Sequence, residues 1–205
     1  MSLTILLIAA TVVISLLAWN NDTLLGKLLM NPFMINRKNE YWRFLTSGFI
    51  HADYGHLFFN MLSFYFFGQN IEAVFKEIFG STGEIYFLIL YLGGIILSDV
   101  PSYIKNRNNF SYNSLGASGG VSSIIFAGIL FFPLDKIYLY GALGIPGIIY
   151  ALLYVWYSIA MGRRGGDNIN HSAHLYGALF GVIFTIAVFP SVVNIFIQQI
   201  LNWKF

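Results

Sequence analysis

The chain has 205 residues, 57% of them hydrophobic and only 10% charged, against about a quarter charged in soluble domains. A net charge of +2 is too small to point to nucleic acid, and the absence of cysteine excludes disulfides and thiol chemistry. The composition is that of an integral membrane protein, and the length allows one helical bundle, a single domain over residues 1–205 with no separate soluble part.

About 20 apolar residues cross the hydrocarbon as a helix. Stretches that meet or approach that length lie at roughly 3–19, 55–75, 83–104, 116–132, 138–161 and 172–189, which predicts an all-α membrane protein built as a bundle of six transmembrane helices. No Lys or Arg precedes the first stretch, so it reads as a retained span and not as a signal peptide. The connection over residues 20–54 is long but rich in Leu, Met, Phe, Trp and Ile, which predicts a first loop embedded in the membrane interface.

The second span opens with His56, and Asn60 follows four residues later, so on a helix the two share a face. Strongly polar groups inside a span face the bundle interior, either as glue between helices or as part of a site. The third connection, around Asn106 to Asn113, is expected to dip toward the bilayer and let the fourth helix begin below the surface. Backbone of that kind is tolerated at depth only inside protein or along a watery cavity.

The fourth span starts Gly116-Ala117-Ser118-Gly119-Gly120. Small-residue runs serve tight helix packing, but a serine becomes a nucleophile once a base stands beside it. Two histidines could be that base. His171 borders a polar loop that runs to Asn170 and reads as a solvated interface residue. His174 lies a turn deeper in Ala173-His174-Leu175-Tyr176-Gly177, with Gly181 continuing its face. Gly177 and Gly181 form a groove that Gly116, Gly119 and Gly120 of the fourth span could fill, bringing Ser118 to His174. After Pro190 the apolar tail reads as an interfacial helix.

These motifs resemble the rhomboid intramembrane serine proteases. The matching residues are Gly-x-Ser-Gly at Gly116 to Gly119, Ala-His-x-x-Gly at Ala173 to Gly177, His56-x-x-x-Asn60, and Trp42-Arg43 upstream. The layout of spans with a long embedded first loop is also similar to the family's basic form. The resemblance implies that Ser118 is the nucleophile and His174 the general base, a dyad without a carboxylate. It implies an oxyanion hole of His56, Asn60 and the Ser118 backbone N–H, and close packing around the site at Gly116, Gly119, Gly177 and Gly181. The acids Glu72 and Asp99 lie away from both motifs in sequence, and Glu72 and Arg43 match positions that hold structure together.

One position departs from the pattern. Four residues after the serine, relatives often carry a tyrosine that packs on the histidine. Here it is Ser122, which removes an aromatic support unless Tyr176 or another ring takes its place. On family grounds the fifth span is the gate for substrate, with Tyr150, Tyr154 and Trp156 as its lipid-side wedge.

The expected function is an endopeptidase that cuts single-span membrane proteins in the bilayer near its surface, after a small residue, in a polar cavity lined by His56, Asn60, His171 and the third-loop asparagines. No metal or cofactor is called for, since no His/Asp/Glu cluster has ligand spacing. Two other readings remain: a rhomboid-like pseudoprotease that binds spans without cutting, and a small polar-lined transporter. The family places the N-terminus in the cytoplasm, in a multi-pass protein of a plasma or inner membrane, with the cavity opening on the opposite side. The Lys and Arg pattern argues the other way: Lys27, Arg37, Lys38, Arg43, Lys105, Arg107, Arg163 and Arg164 share the side opposite the N-terminus, while Lys76, Lys136 and Lys204 share its own. The family orientation is preferred because the first-loop charges can sit in an embedded hairpin.

Overall fold

The computed structural model describes residues 2–139, 142–164 and 169–203, so most of the polar stretch after Arg164 (165–168) and the last two residues, Lys204 included, lie outside the described residues. Among the described residues the fold is all-α apart from one small pair of strands. Long helices occupy Leu3–Trp19 (α1), Tyr54–Phe79 (α5), Gly83–Asn106 (α6), Ser118–Phe131 (α7), Gly147–Arg164 (α8) and His171–Val188 (α9). Short helices fill the first connection at Asp22–Leu28 (α2), Pro32–Lys38 (α3) and Arg43–Thr46 (α4), and Val192–Leu201 (α10) forms the tail. Among the described residues, 54–106 and His171–Val188 are long and apolar enough to cross a bilayer; Leu3–Trp19 and Ser118–Phe131 are apolar but shorter.

The fifth predicted span differs from the observed helix. Residues 138–139 and 142–146 are not helical; Lys136–Leu139 (β1) pairs antiparallel with Leu143–Pro146 (β2), Lys136 facing Pro146. Pro146 explains the boundary. It disfavours helical backbone at Ile145, so a helix can begin no earlier than the proline, and α8 starts directly after it, at Gly147.

Helix α7 is the centre of the bundle. Every residue from Gly119 to Ile129 is buried, and a helix apolar all round must be enclosed. Its neighbours approach through small residues. A Cβ on Gly177 would overlap the Gly119 carbonyl, one on Gly181 the Ser123 carbonyl, and one on Gly120 would stand 2.7 Å from the Tyr91 carbonyl of α6. Beside that contact Phe64 of α5 stacks on the Tyr91 ring, with centroids 4.1 Å apart.

The N-terminal end of α1 is tied to α5 by Glu72. Its carboxylate accepts from the N–H groups of Leu3 (3.0 Å) and Thr4 (2.9 Å) and from the Thr4 hydroxyl (2.8 Å), and it pairs with Lys76 at 2.8 Å. These N–H groups belong to a first helical turn, which has no helical acceptors of its own. The first connection is stapled by buried Arg43, which donates to the carbonyls of Gly26 and Leu29, both at 2.7 Å, and to Glu40 at 2.6 Å. Met30 and Ser114 bridge that connection to the α6–α7 segment through paired backbone hydrogen bonds of 3.0 Å.

Candidate active site

Helix α7 begins inside the bundle, at Ser118, because the chain before it is held there. The Gly116 N–H donates to the Ser47 carbonyl at 2.9 Å. Gly116 has φ +117°, a conformation L side chains rarely adopt, and a Cβ there would press into the His56 imidazole at 2.7 Å. The next N–H, from Ala117, donates to Nε2 of His51 at 3.3 Å. An accepting Nε2 leaves the ring proton on Nδ1, which faces the Ser15 hydroxyl at 3.2 Å, while that hydroxyl donates to the Phe49 carbonyl at 3.1 Å. Burial, with His56 beside it, pushes the His51 pKa down to about 3, so the ring stays neutral in this role. His51 thus fixes the turn that presents Ser118. Its five-residue distance from His56 gave the sequence reading no reason to single it out.

A cavity of about 920 Å³ opens in front of this turn. His56, Asn60, Gly116, Ser118, Gly119 and His174 all line it, so residues far apart in sequence share one chamber. Gly177 and Gly181 lie behind the cavity, in the seam between α7 and α9. The first N–H groups of α7 find no acceptor within the helix, so the positive end of its dipole lies at the Ser118 end. Asp53 caps α5 by accepting from the His56 N–H at 2.8 Å, and the Asn60 side-chain amide donates to the His56 carbonyl at 3.0 Å.

The polar wall is furnished differently from the expectation. Asn113 does line the cavity, but His171 does not. It is neither solvated nor part of the wall: it is 4% exposed, packed edge-on between Tyr157 (5.6 Å) and His174 (5.9 Å). Asp99, distant from both motifs in the chain, does line the chamber. It takes hydrogen bonds from the Ser47 hydroxyl (3.4 Å) and from the Asn170 amide (3.3 Å). Asn170 also reaches Ser102 and Ser114, both at 3.1 Å, and its oxygen caps α9 by accepting from the Ala173 N–H at 3.1 Å. A buried carboxylate is therefore linked through one amide to the start of the helix that carries His174. Among the described residues, no three His, Asp or Glu side chains gather where they could hold a metal ion.

The missing ring at position 122 has a counterpart. Tyr154 of α8 lies nearly parallel to His174, with ring centroids 6.0 Å apart and 26° between planes, and its hydroxyl hydrogen-bonds the Ser122 hydroxyl at 2.5 Å. Tyr176, 43% exposed, points elsewhere. The expected lipid-side wedge is corrected accordingly: Tyr150 and Tyr154 form part of the cavity wall, and of the three aromatics Trp156, at 67% exposure, is the one turned outward.

Comparison with known proteins places these motifs in context. The family model of the Rhomboid domain matches residues 38–191. The mitochondrial RHOMBOID-like protein 12 of Arabidopsis thaliana is 30% identical over 77% of this chain and 50% of its own length. Rhomboid protease GlpG of Haemophilus influenzae is 27% identical over 77% of this chain and 74% of its own length. Rhomboid-related protein 1 of Caenorhabditis elegans is 27% identical over 90% of this chain and 49% of its own length. The chain thus spans about half the length of two of these relatives and three quarters of the third.

Proposed function

The chain belongs to the rhomboid family, whose members are integral membrane proteins and include named proteases, and from that premise we propose that it is an intramembrane serine endopeptidase with Ser118 as nucleophile and His174 as general base. One observation carries the reading: Ser118 and His174, on different helices and 56 positions apart in the numbering, line one cavity with His56 and Asn60.

In this reading the Ser118 hydroxyl attacks a peptide carbonyl while His174 takes its proton. His174 then gives that proton to the departing amine, and a water activated by the same ring hydrolyses the acyl-serine. The carbonyl oxygen becomes an anion during attack. The Ser118 N–H at the positive end of α7 faces it, joined by His56 and Asn60. The Ala52 N–H makes a long, 3.5 Å approach to Nδ1 of His56, which favours the tautomer with its proton on Nε2, ready to donate. The Asn60 amide nitrogen spends one hydrogen on the His56 carbonyl and keeps the other. Each such donor is typically worth about 10²–10³ in rate. Water, the second substrate, enters along the polar wall of Asp99, Asn113 and Asn170.

The substrate proposed is a single-span membrane protein cut after a small residue near the bilayer surface. A helical carbonyl is already hydrogen-bonded and sterically covered, and Gly, Ser or Pro lower the expense of unwinding it. The enzyme is proposed to cross the membrane six times, in a plasma or inner membrane, with its N-terminus in the cytoplasm and the cavity open to the opposite side. The feature that favoured an inactive pseudoprotease, Ser122, loses weight because Tyr154 brings a ring to His174.

The test is labelling of purified protein in detergent by a fluorophosphonate, with cleavage of a single-span substrate in liposomes read in parallel. Labelling at Ser118 that disappears in both Ser118→Ala and His174→Ala, together with substrate cleavage, is the expected result. A folded wild-type protein that neither labels nor cleaves would sink the assignment.

A further inference from the structure

The geometry points to Tyr154 as the positioning residue for the His174 imidazole, delivered from α8 and tethered by the Ser122 hydroxyl. The inference rests on His174 being the general base. A histidine ring turns in a broad, roughly two-fold torsional well, so its own backbone does not fix the plane it presents to a serine. A neighbour that covers a face of the ring restricts that turning. The phenol of Tyr154 does so at 6.0 Å and 26° from parallel.

The phenol is itself held on three sides. Its hydroxyl meets Ser122 of α7 at 2.5 Å, its ring leans on Phe126 at 5.4 Å, and Tyr150 lies one turn back at 5.6 Å. A turn further along, the pattern repeats: Tyr157 meets His171 edge-on at 5.6 Å, and His171 meets His174 edge-on at 5.9 Å. Residues three apart on α8 therefore interleave with residues three apart on α9, a ladder of four rings with the imidazole of interest inside it. The rest of α8 packs lightly, since only Gly147 and Ser158 are buried among its 18 residues. The ladder thus links α8 to α9, and the orientation of His174 follows the position of α8.

The experiment measures fluorophosphonate inactivation of the purified full chain, resolving the inactivation rate constant from the probe's binding constant. Thermal unfolding is followed alongside to show that each variant is folded. Loss of one aromatic contact predicts that Tyr154→Leu lowers the rate constant about 3–10-fold with the binding constant unchanged. Tyr154→Phe, which keeps the ring, recovers most of that loss. Ser122→Ala frees the tether and slows inactivation by about 2–3-fold, within the range of one lost hydrogen bond.

A wild-type rate constant in folded Tyr154→Leu overturns the inference, as does weaker probe binding at an unchanged rate constant, which would make Tyr154 only a cavity wall. If Tyr154→Leu does not fold, Tyr154→Phe and Ser122→Ala decide: a slower rate constant at unchanged binding supports the tethered ring, and wild-type values in both overturn it. Absence of labelling at Ser118 in the wild type would instead bring down the hydrolase reading itself, so the two failures are told apart.

Discussion

Helix α9 meets α7 and α8 in opposite ways. Against α7 its closest approach is bare backbone: Gly177 and Gly181 lie directly on the carbonyls of Gly119 and Ser123. Against α8 it offers rings, His171 and His174, to Tyr157 and Tyr154. Between helices in lipid there is little hydrophobic drive, so association depends on how closely backbones pack and on polar contacts. The first seam can shift only by losing contact everywhere at once. The second can slide or open one ring at a time. A serine and a histidine proposed to react together stand on the rigid seam, while the helix that borders their cavity is attached by the yielding one.

The sharpest way to break this comparison is a single methyl in the rigid seam. The Cβ of Gly181→Ala would overlap backbone atoms of Ser123, which cannot rotate away as a side chain could. Overpacking of this kind costs about 1–3 kcal/mol. We expect a loss of that size in denaturant-titrated unfolding in micelles, with a fall in Ser118 labelling as the helices part. Unchanged stability would mean the two backbones do not touch.

A smaller effect is expected at the end of the same seam. Asn170→Ala removes the cap of α9 and the amide that joins Asp99, Ser102 and Ser114 to it. Loss of an N-cap alone is worth about 1 kcal/mol, and the Asp99 carboxylate also loses a donor, so about 1–2 kcal/mol is expected. Asn170→Asp, which keeps the capping oxygen, should restore the cap but place a second acid beside Asp99. Recovery to wild-type stability in that variant would show that the link to Asp99 contributes nothing.

The rigid seam could be read in the chain; the yielding one could not. Glycines beside Ser118 and one and two turns beyond His174 announce close packing wherever they occur, because the signal lies in the residues themselves. The direction a lipid-immersed helix faces is different. Residues toward lipid and residues toward the core are both apolar, so no polar face separates inside from outside. Tyr154 and Trp156 therefore looked alike in the sequence, yet one covers His174 and the other is exposed. His171 was read as solvated from its polar neighbours in the chain, and its burial follows from which way α9 is turned. Asp99 lies away from both motifs in the chain and His51 belongs to neither, because their relation to Ser118 exists only through tertiary contacts. The strands at 136–139 and 143–146 are hidden in the sequence by their apolar content, although Pro146 marks where a helix cannot yet run.

The gentlest test returns to a single methyl, now on α8. Gly162→Ala makes the same chemical change as Gly181→Ala, one helix away. Its Cβ would stand 3.5 Å from the His171 Cβ, an ordinary van der Waals contact. Gly162 lies inside α8 without the left-handed backbone that would strain an alanine, so the substitution removes freedom from the unfolded chain at no steric expense. Such replacements gain up to about 1 kcal/mol in a helix, and less near its end. Stability should therefore hold or rise slightly in the same unfolding titration, with the inactivation rate constant unchanged. A destabilisation approaching that of Gly181→Ala would mean that α8 lies as tightly on α9 as α7 does. The contrast between a fixed seam and a yielding one would then be lost.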